Sequence, residues 1–215
     1  MTVHSTAVRP LPKGPHGLST EEVIASQRER IFAAIIDAVA EKGYVHTSVA
    51  DVLARAKVSR LTFYQLFSDK EDCFVSAFDA RAALLAQVLR AVLDERPPSG
   101  GEWSVLARID RILETYLQAL QAEPASARSL LIEVYAAGPR ARQQRNRSVQ
   151  QFVEVVNEAL RGRAGVFGSE DEQHFTAQLL VGGVSSLVTT MVGEGRMDEL
   201  AGLRGPLTTL FERLQ

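Results

Sequence analysis

A chain of 215 residues is long enough for one large domain or two small ones with a buried core. The composition, 46% hydrophobic and 23% charged, is that of a folded protein, and the single cysteine, Cys73, excludes an internal disulfide and a cysteine-based zinc cluster. A net charge of -2 excludes a protein that holds nucleic acid by bulk charge alone, although residues 1–70 carry nine Lys/Arg against seven Asp/Glu and the remainder fifteen against nineteen.

Residues 1–18 are rich in Pro and Gly, carry Arg9, Lys13 and His16, and read as a flexible basic arm. They lack the apolar stretch of a secretory signal, and no apolar run reaches the ~20 residues that span a bilayer, so a cytosolic protein with no membrane partner is expected. Ser19 and Glu22 form a capping-box pattern that opens a helix with Ile24, Ile31, Ile35, Ala38 and Val39 at helical spacing, closed at Gly43. Thr47 is the expected cap of a second helix with Val49, Val52 and Leu53 inward. Ala56-Lys57-Val58 is a turn, and Ser59 caps a third helix with Phe63, Leu66 and Phe67 inward. Ser68, with Glu71, is the expected cap of a long fourth helix ending before Pro97-Pro98. Further helical patterns cover Trp103 to Ala122, a stretch from Pro124 to Gly138-Pro139, Arg140 to Arg161, Ser169 to about Glu194, and Met197 to Leu214 with a break near Gly205-Pro206. No segment reads as a strand. The predicted fold is all-α with about nine helices. Residues 19–72 form an N-terminal helix-turn-helix unit, and residues 73–215 a helical effector-binding and dimerisation unit.

The stretch Thr47–Asp72, TSVADVLARAKVSRLTFYQLFSDKED, has the three properties a helix-turn-helix requires: a tight turn, an apolar inner face and a polar outer face. Arg60 has the paired donors that read a guanine edge, Gln65 matches adenine, and Leu61 or the Thr62 methyl suits a thymine methyl. Thr47, Tyr64 and Lys70 carry groups that bind phosphates, and Lys57 adds a cation at the turn. Lys70 also falls in the first turn of the fourth helix, whose free N–H groups favour an anion.

The segment GYVHTSVADVLARAKVSRLTFYQLFSDKEDCF resembles the DNA-binding domain of the TetR family of bacterial transcriptional regulators. The resemblance covers roughly residues 20–75 at motif level, and the remainder by helix number and length. It implies phosphate contacts from Thr47, Tyr64 and Lys70, and base-facing positions at Arg60, Leu61, Thr62 and Gln65. Two positions depart from the family pattern. Lys57 stands where glycine is frequent in the turn, and Leu53 where a small residue is common, which implies slightly wider helix packing.

The remaining features have a plain structural reading beside the functional one. Arg9, Lys13 and His16 suit a minor groove or a free arm. Arg140, Arg142, Arg145 and Arg147 read as a solvated helix face, with an anionic-effector site as the alternative. The four histidines show no metal-ligand spacing, so no metal and no cofactor is expected. Cys73 reads as a packed thiol. Trp103, Tyr116, Tyr135, Phe152 and Phe175 (with Phe167) are candidates for an effector pocket, which the resemblance implies to be mostly apolar. In QLLVGGVSSLVTTMVGEG, the stripe Leu180, Gly183, Val184, Leu187 and Met191 is the candidate dimer interface, because Gly182, Gly183, Ser185 and Ser186 leave the helix slim.

The sequence therefore reads as a ligand-released repressor, a homodimer on a palindromic double-stranded DNA operator, answering to a small, largely apolar effector. A transcriptional activator or corepressor-dependent regulator of the same fold is the alternative. An all-helical enzyme is the alternative from another class, against which stands the lack of any nucleophile–base pair or phosphate-cradling loop.

Overall fold

The computed structural model describes residues 19–97, 100–161 and 169–213. The basic arm 1–18 and Phe167 lie outside the described residues. Those described form nine α-helices and no strand: α1 Thr20–Lys42, α2 Val49–Ala56, α3 Arg60–Leu66, α4 Lys70–Ala91, α5 Val105–Ala122, α6 Pro124–Leu131, α7 Pro139–Leu160, α8 Glu170–Gly193 and α9 Arg204–Arg213. Short 3-10 turns follow α4 and α6 and precede α9. The expected last helix is thus split, with Met197–Leu203 a 3-10 turn and the α-helix starting only at Arg204.

Capping explains most boundaries. Ser19 and Glu22 make the reciprocal box at the start of α1, and Ser59 accepts the Thr62 N–H at the start of α3. Two expected caps are displaced by one residue. Ser48, not Thr47, caps α2, sharing a reciprocal box with Asp51. Asp69, not Ser68, caps α4 by accepting the Asp72 N–H, while Ser68 donates to the Asp72 carboxylate. In both cases two capping residues are adjacent, and the second of the two caps the helix.

Three apolar clusters make the interior. The first joins α1 to α4 around Ile31, Ile35, Val52, Phe63, Phe67 and Phe74, and includes Val134, Ala137 and Ala141 from beyond α6. Cys73 lies fully buried in it, and burial pushes its thiol far up. The second joins α4, α5, α7 and α8 around Leu89, Ile112, Val153 and Ala177. The third joins α5, α6, α8 and the last turn around Leu117, Leu131, Val188 and Leu200. α4 contributes to the first two clusters, so it connects the N-terminal unit to the helical bundle.

By length and composition alone α8 is apolar enough to cross a membrane, which amends the expectation that no segment is. Here one face of α8 packs into the bundle through Ala177, Val188, Met191 and Val192.

Candidate functional site

The α2–α3 hairpin presents a cationic, partly apolar outer surface. Lys57 ends α2 in the left-handed conformation, φ 53° and ψ 46°, as the only non-glycine with positive φ among the described residues. That geometry lets α3 leave at once, and it costs about 1 kcal/mol at a residue with a Cβ. Arg60, Leu61, Tyr64 and Gln65 then point outward from α3, with Leu61 70% and Tyr64 48% exposed. Thr62 is half-buried, its hydroxyl within 2.9 Å of the Ser59 hydroxyl. Tyr64 leans edge-on against the buried Phe63 ring, which fixes the phenol's direction.

Charge pairing separates the cations of this unit. Lys42 is bound by Asp51 and Arg55 by Glu41. The Lys42 ammonium and the Ser48 hydroxyl hold the Asp51 carboxyl far below the usual carboxylate range. Lys57 and Arg60 have no carboxylate partner among the described residues, so the uncompensated positive charge sits at the turn and the start of α3. The sequence alone does not show this selection, because Glu41 and Arg55 meet only when α1 and α2 pack.

Two residues expected at phosphates face inward. Thr47 is only 2% exposed, and its hydroxyl donates to the Gly43 carbonyl at 2.8 Å, with the Ala38 carbonyl at 3.1 Å. That hydroxyl ties the end of α1 to the start of α2 and has no surface from which to meet DNA. The Lys70 ammonium donates to the carbonyls of Tyr44 (2.8 Å) and Thr47 (2.9 Å), and lies 4.1 Å from the centre of the Tyr44 ring. Partial burial lowers the Lys70 pKa. A cation in the first turn of α4 opposes the helix dipole, and the two carbonyls and the aromatic face offset this.

The same loop is held from the other side. The Tyr44 N–H donates to Glu133 Oε2 at 2.9 Å, and Arg128 faces the other carboxylate oxygen at 3.4 Å. A Cβ on Gly43, which has φ 81°, would stand 3.4 Å from Glu133 Oε2. The Ser129 hydroxyl donates to the Ile36 carbonyl at 3.1 Å, pinning α6 to α1. The sequence signals neither Glu133 nor Ser129, since they meet partners 89 and 93 residues away in the chain.

Beneath α4 and α6 lies a cavity of about 110 Å³. Its walls come from α4 (Phe78, Leu85), α5 (Ile112, Tyr116), α6 (Leu130, Leu131), α7 (Val149, Phe152) and α8 (Leu180, Val184). Of the expected pocket aromatics, Tyr116 and Phe152 are there, their rings 6.3 Å apart. Three are not. Trp103 is half-buried ahead of α5, Tyr135 lies on the surface, and Phe175 is 65% exposed on the outer face of α8. The dimer stripe is also divided. Leu180 and Val184 turn into the cavity and Met191 is packed in the core, leaving Gly183 and Leu187 outside. The outward face instead runs Phe175, Leu179, Gly182, Gly183, Ser186 and Leu187, with nothing within 4 Å of a Cβ built on either glycine. α8 is apolar on both faces, so periodicity does not tell inner from outer.

Residues 31–77 match the family described as bacterial regulatory proteins, tetR family. No curated protein matches the chain by sequence. Solved structures share its fold. The fatty acid degradation regulator FadR from Bacillus halodurans matches with TM-score 0.74 at 21% identity, over 86% of this chain and 93% of its own. The transcriptional regulator FadR from Bacillus subtilis, in complex with stearoyl-CoA, matches with TM-score 0.70 at 18% identity, over 85% and 96%. A TetR-like transcriptional regulator from Rhodococcus sp. RHA1 matches with TM-score 0.59 at 19% identity, over 86% and 94%.

Proposed function

We propose that the chain, whose residues 31–77 match the bacterial regulatory proteins of the tetR family, is a DNA-binding transcriptional regulator rather than an enzyme, and that it acts as a cytosolic, ligand-released repressor. The observation that carries this reading is the pairing of an outward, uncompensated cationic recognition helix with an apolar cavity whose walls include α4 and α6. Arg60, Leu61, Gln65 and the exposed part of Thr62 read base edges, and Lys57 and Tyr64 hold phosphates. Lys70 and Thr47 act behind them, fixing the angle of α2.

Two copies assemble through the outer face of α8, where the exposed Phe175, Leu179 and Leu187 surround the slim surface of Gly182 and Gly183. A two-fold arrangement is what a palindromic operator needs, since each recognition helix must reach a half-site ~34–36 Å from the other.

The effector is a small, largely apolar molecule. The stearoyl-CoA complex of the similarly folded FadR from Bacillus subtilis supports an acyl-type compound. An effector that prefers the arrangement in which α4 and α6 have moved apart shifts the equilibrium toward recognition helices that no longer fit adjacent grooves. The route is short: α6 lines the cavity with Leu130 and Leu131 and holds α1 through Ser129, and the adjoining Glu133 holds the α1–α2 loop.

Selection of binding sites from a random DNA pool tests the reading. Recovery of an inverted repeat with half-sites one turn or a whole number of turns apart is expected. Enrichment of no sequence, or of isolated half-sites only, refutes it. Derepression of a reporter in a strain lacking the gene separates repressor from activator.

A further inference from the structure

Arg145 is the one cation among the residues lining the cavity, and no carboxylate lines it. It projects from α7 toward α8, where its guanidinium donates to the Ser185 hydroxyl at 3.3 Å and lies 5.1 Å from the centre of the Tyr135 ring. Neither partner carries a charge. The neighbouring arginines are otherwise engaged: Arg140 faces Asp72 at 3.5 Å, Arg142 the Tyr135 carbonyl and Arg147 the Gln144 side chain. Of that basic cluster, Arg145 alone turns into the cavity.

A guanidinium held against an apolar cavity without a counter-charge is costly, and an anion arriving beside it removes the cost. Its fork of donors fits a carboxylate in two-point fashion. A second donor is close. The Tyr116 hydroxyl has no hydrogen-bond partner among the described residues, and it lines the same cavity. Burial raises its pKa to about 12, with the charge of Arg145 pulling the other way. The phenol therefore stays protonated and available to donate. The rest of the wall is aliphatic or aromatic, apart from the Ser148 hydroxyl, which donates to the Gln144 carbonyl, and the Ser185 hydroxyl already met by Arg145.

We propose that the effector is an apolar molecule ending in a carboxylate, seated with its apolar body among α4, α5 and α8 and its carboxylate on Arg145 and the Tyr116 hydroxyl. This rests on the cavity being the effector site. Occupation pulls Arg145 off Ser185, and so loosens the α7–α8 contact at the point where the cavity wall meets the outer face of α8.

Calorimetric titration of the full chain with decanoate, 1-decanol, decyltrimethylammonium and decanoyl-CoA tests it, below the concentrations at which they aggregate. Decanoate is expected to bind at least tenfold more tightly than decanol, and the ammonium compound more weakly than either. Arg145→Met erases the difference between decanoate and decanol, lowering decanoate affinity at least tenfold. Arg145→Lys restores part of it, which shows that loss of folding is not the cause. Equal affinity for decanoate and decanol in the unaltered protein, both lost in Val184→Trp, overturns the carboxylate assignment and leaves the cavity as the effector site. Decanoyl-CoA binding more tightly than decanoate and indifferent to Arg145→Met overturns it too, by placing the anionic group outside the cavity. Binding of none of the four, or binding insensitive to Val184→Trp, overturns the cavity reading and this proposal together.

Discussion

Replacing Lys70 with methionine distinguishes a residue that shapes the DNA-binding unit from one that touches DNA. The substitution keeps most of the aliphatic stem and deletes the ammonium, and with it the bonds to the Tyr44 and Thr47 carbonyls and the approach to the Tyr44 ring. A hydrogen bond from a charged donor contributes about 1.5–3 kcal/mol when desolvated. Lys70 is only half-buried, so water takes over part of the carbonyls' demand, and the aromatic contact adds about 0.5–1 kcal/mol. The expected loss is about 2–4 kcal/mol, a fall in Tm of about 4–16 °C for a chain of this size. Operator affinity falls as well, because the α1–α2 loop loosens. The slope of log affinity against log salt stays as it was. A direct phosphate contact behaves differently, since each phosphate neutralised contributes about 0.9 to that slope and two subunits together about 1.8. Calorimetric melting beside anisotropy titrations at several salt concentrations measures both quantities. A variant with unchanged Tm and a slope reduced by about 1.8 refutes the clamp and restores Lys70 to the phosphate contacts.

Arg60→Ala is expected to relax base preference at one position per half-site by about 1–3 kcal/mol, read from affinities for single-base operator variants; unchanged selectivity removes Arg60 from the reading set. Lys57→Gly relieves the left-handed strain and raises Tm by about 2–4 °C, while lowering operator affinity and the salt slope; a lower Tm contradicts the strain argument. Leu179→Glu on the outer face of α8 is expected to yield monomers in sedimentation at micromolar concentration with Tm little changed relative to a monomeric reference, whereas dimers of undiminished strength place the interface elsewhere. Burial raises the Tyr44 and Tyr116 phenols to about 12. Their unfolded counterparts ionise near 10, so stability is full below pH 10 and falls as pH rises toward 12. Denaturant midpoints that stay flat across that window contradict the burial of these phenols.

The helix-turn-helix was legible because its determinants are local. The apolar spacing of Val52, Phe63 and Phe67, the cap at Ser59 and the turn at Lys57 all act within a few residues, and each recurs in the structure. The outward set on α3 followed from the same periodicity. The inward bonds of Thr47 and Lys70 were not legible, because their side chains answer to partners brought near by packing: the end of α1 for Thr47, the α1–α2 loop for Lys70.

The chain by itself determined an all-helical protein with a helix-turn-helix near its start, since capping and a 3.6-residue period need no distant partner. Tertiary structure decided which cations remain free, since Glu41 neutralises Arg55 only across a helix interface. It also decided which aromatics line the cavity and which face of α8 is outside, because a helix apolar on every side carries no periodic signal of its own. The placement of Arg145 is the sharpest case. Four arginines in eight residues look alike in sequence, and only the packing of α7 against α8 turns one of them, by its angular position on the helix, from water toward the apolar interior.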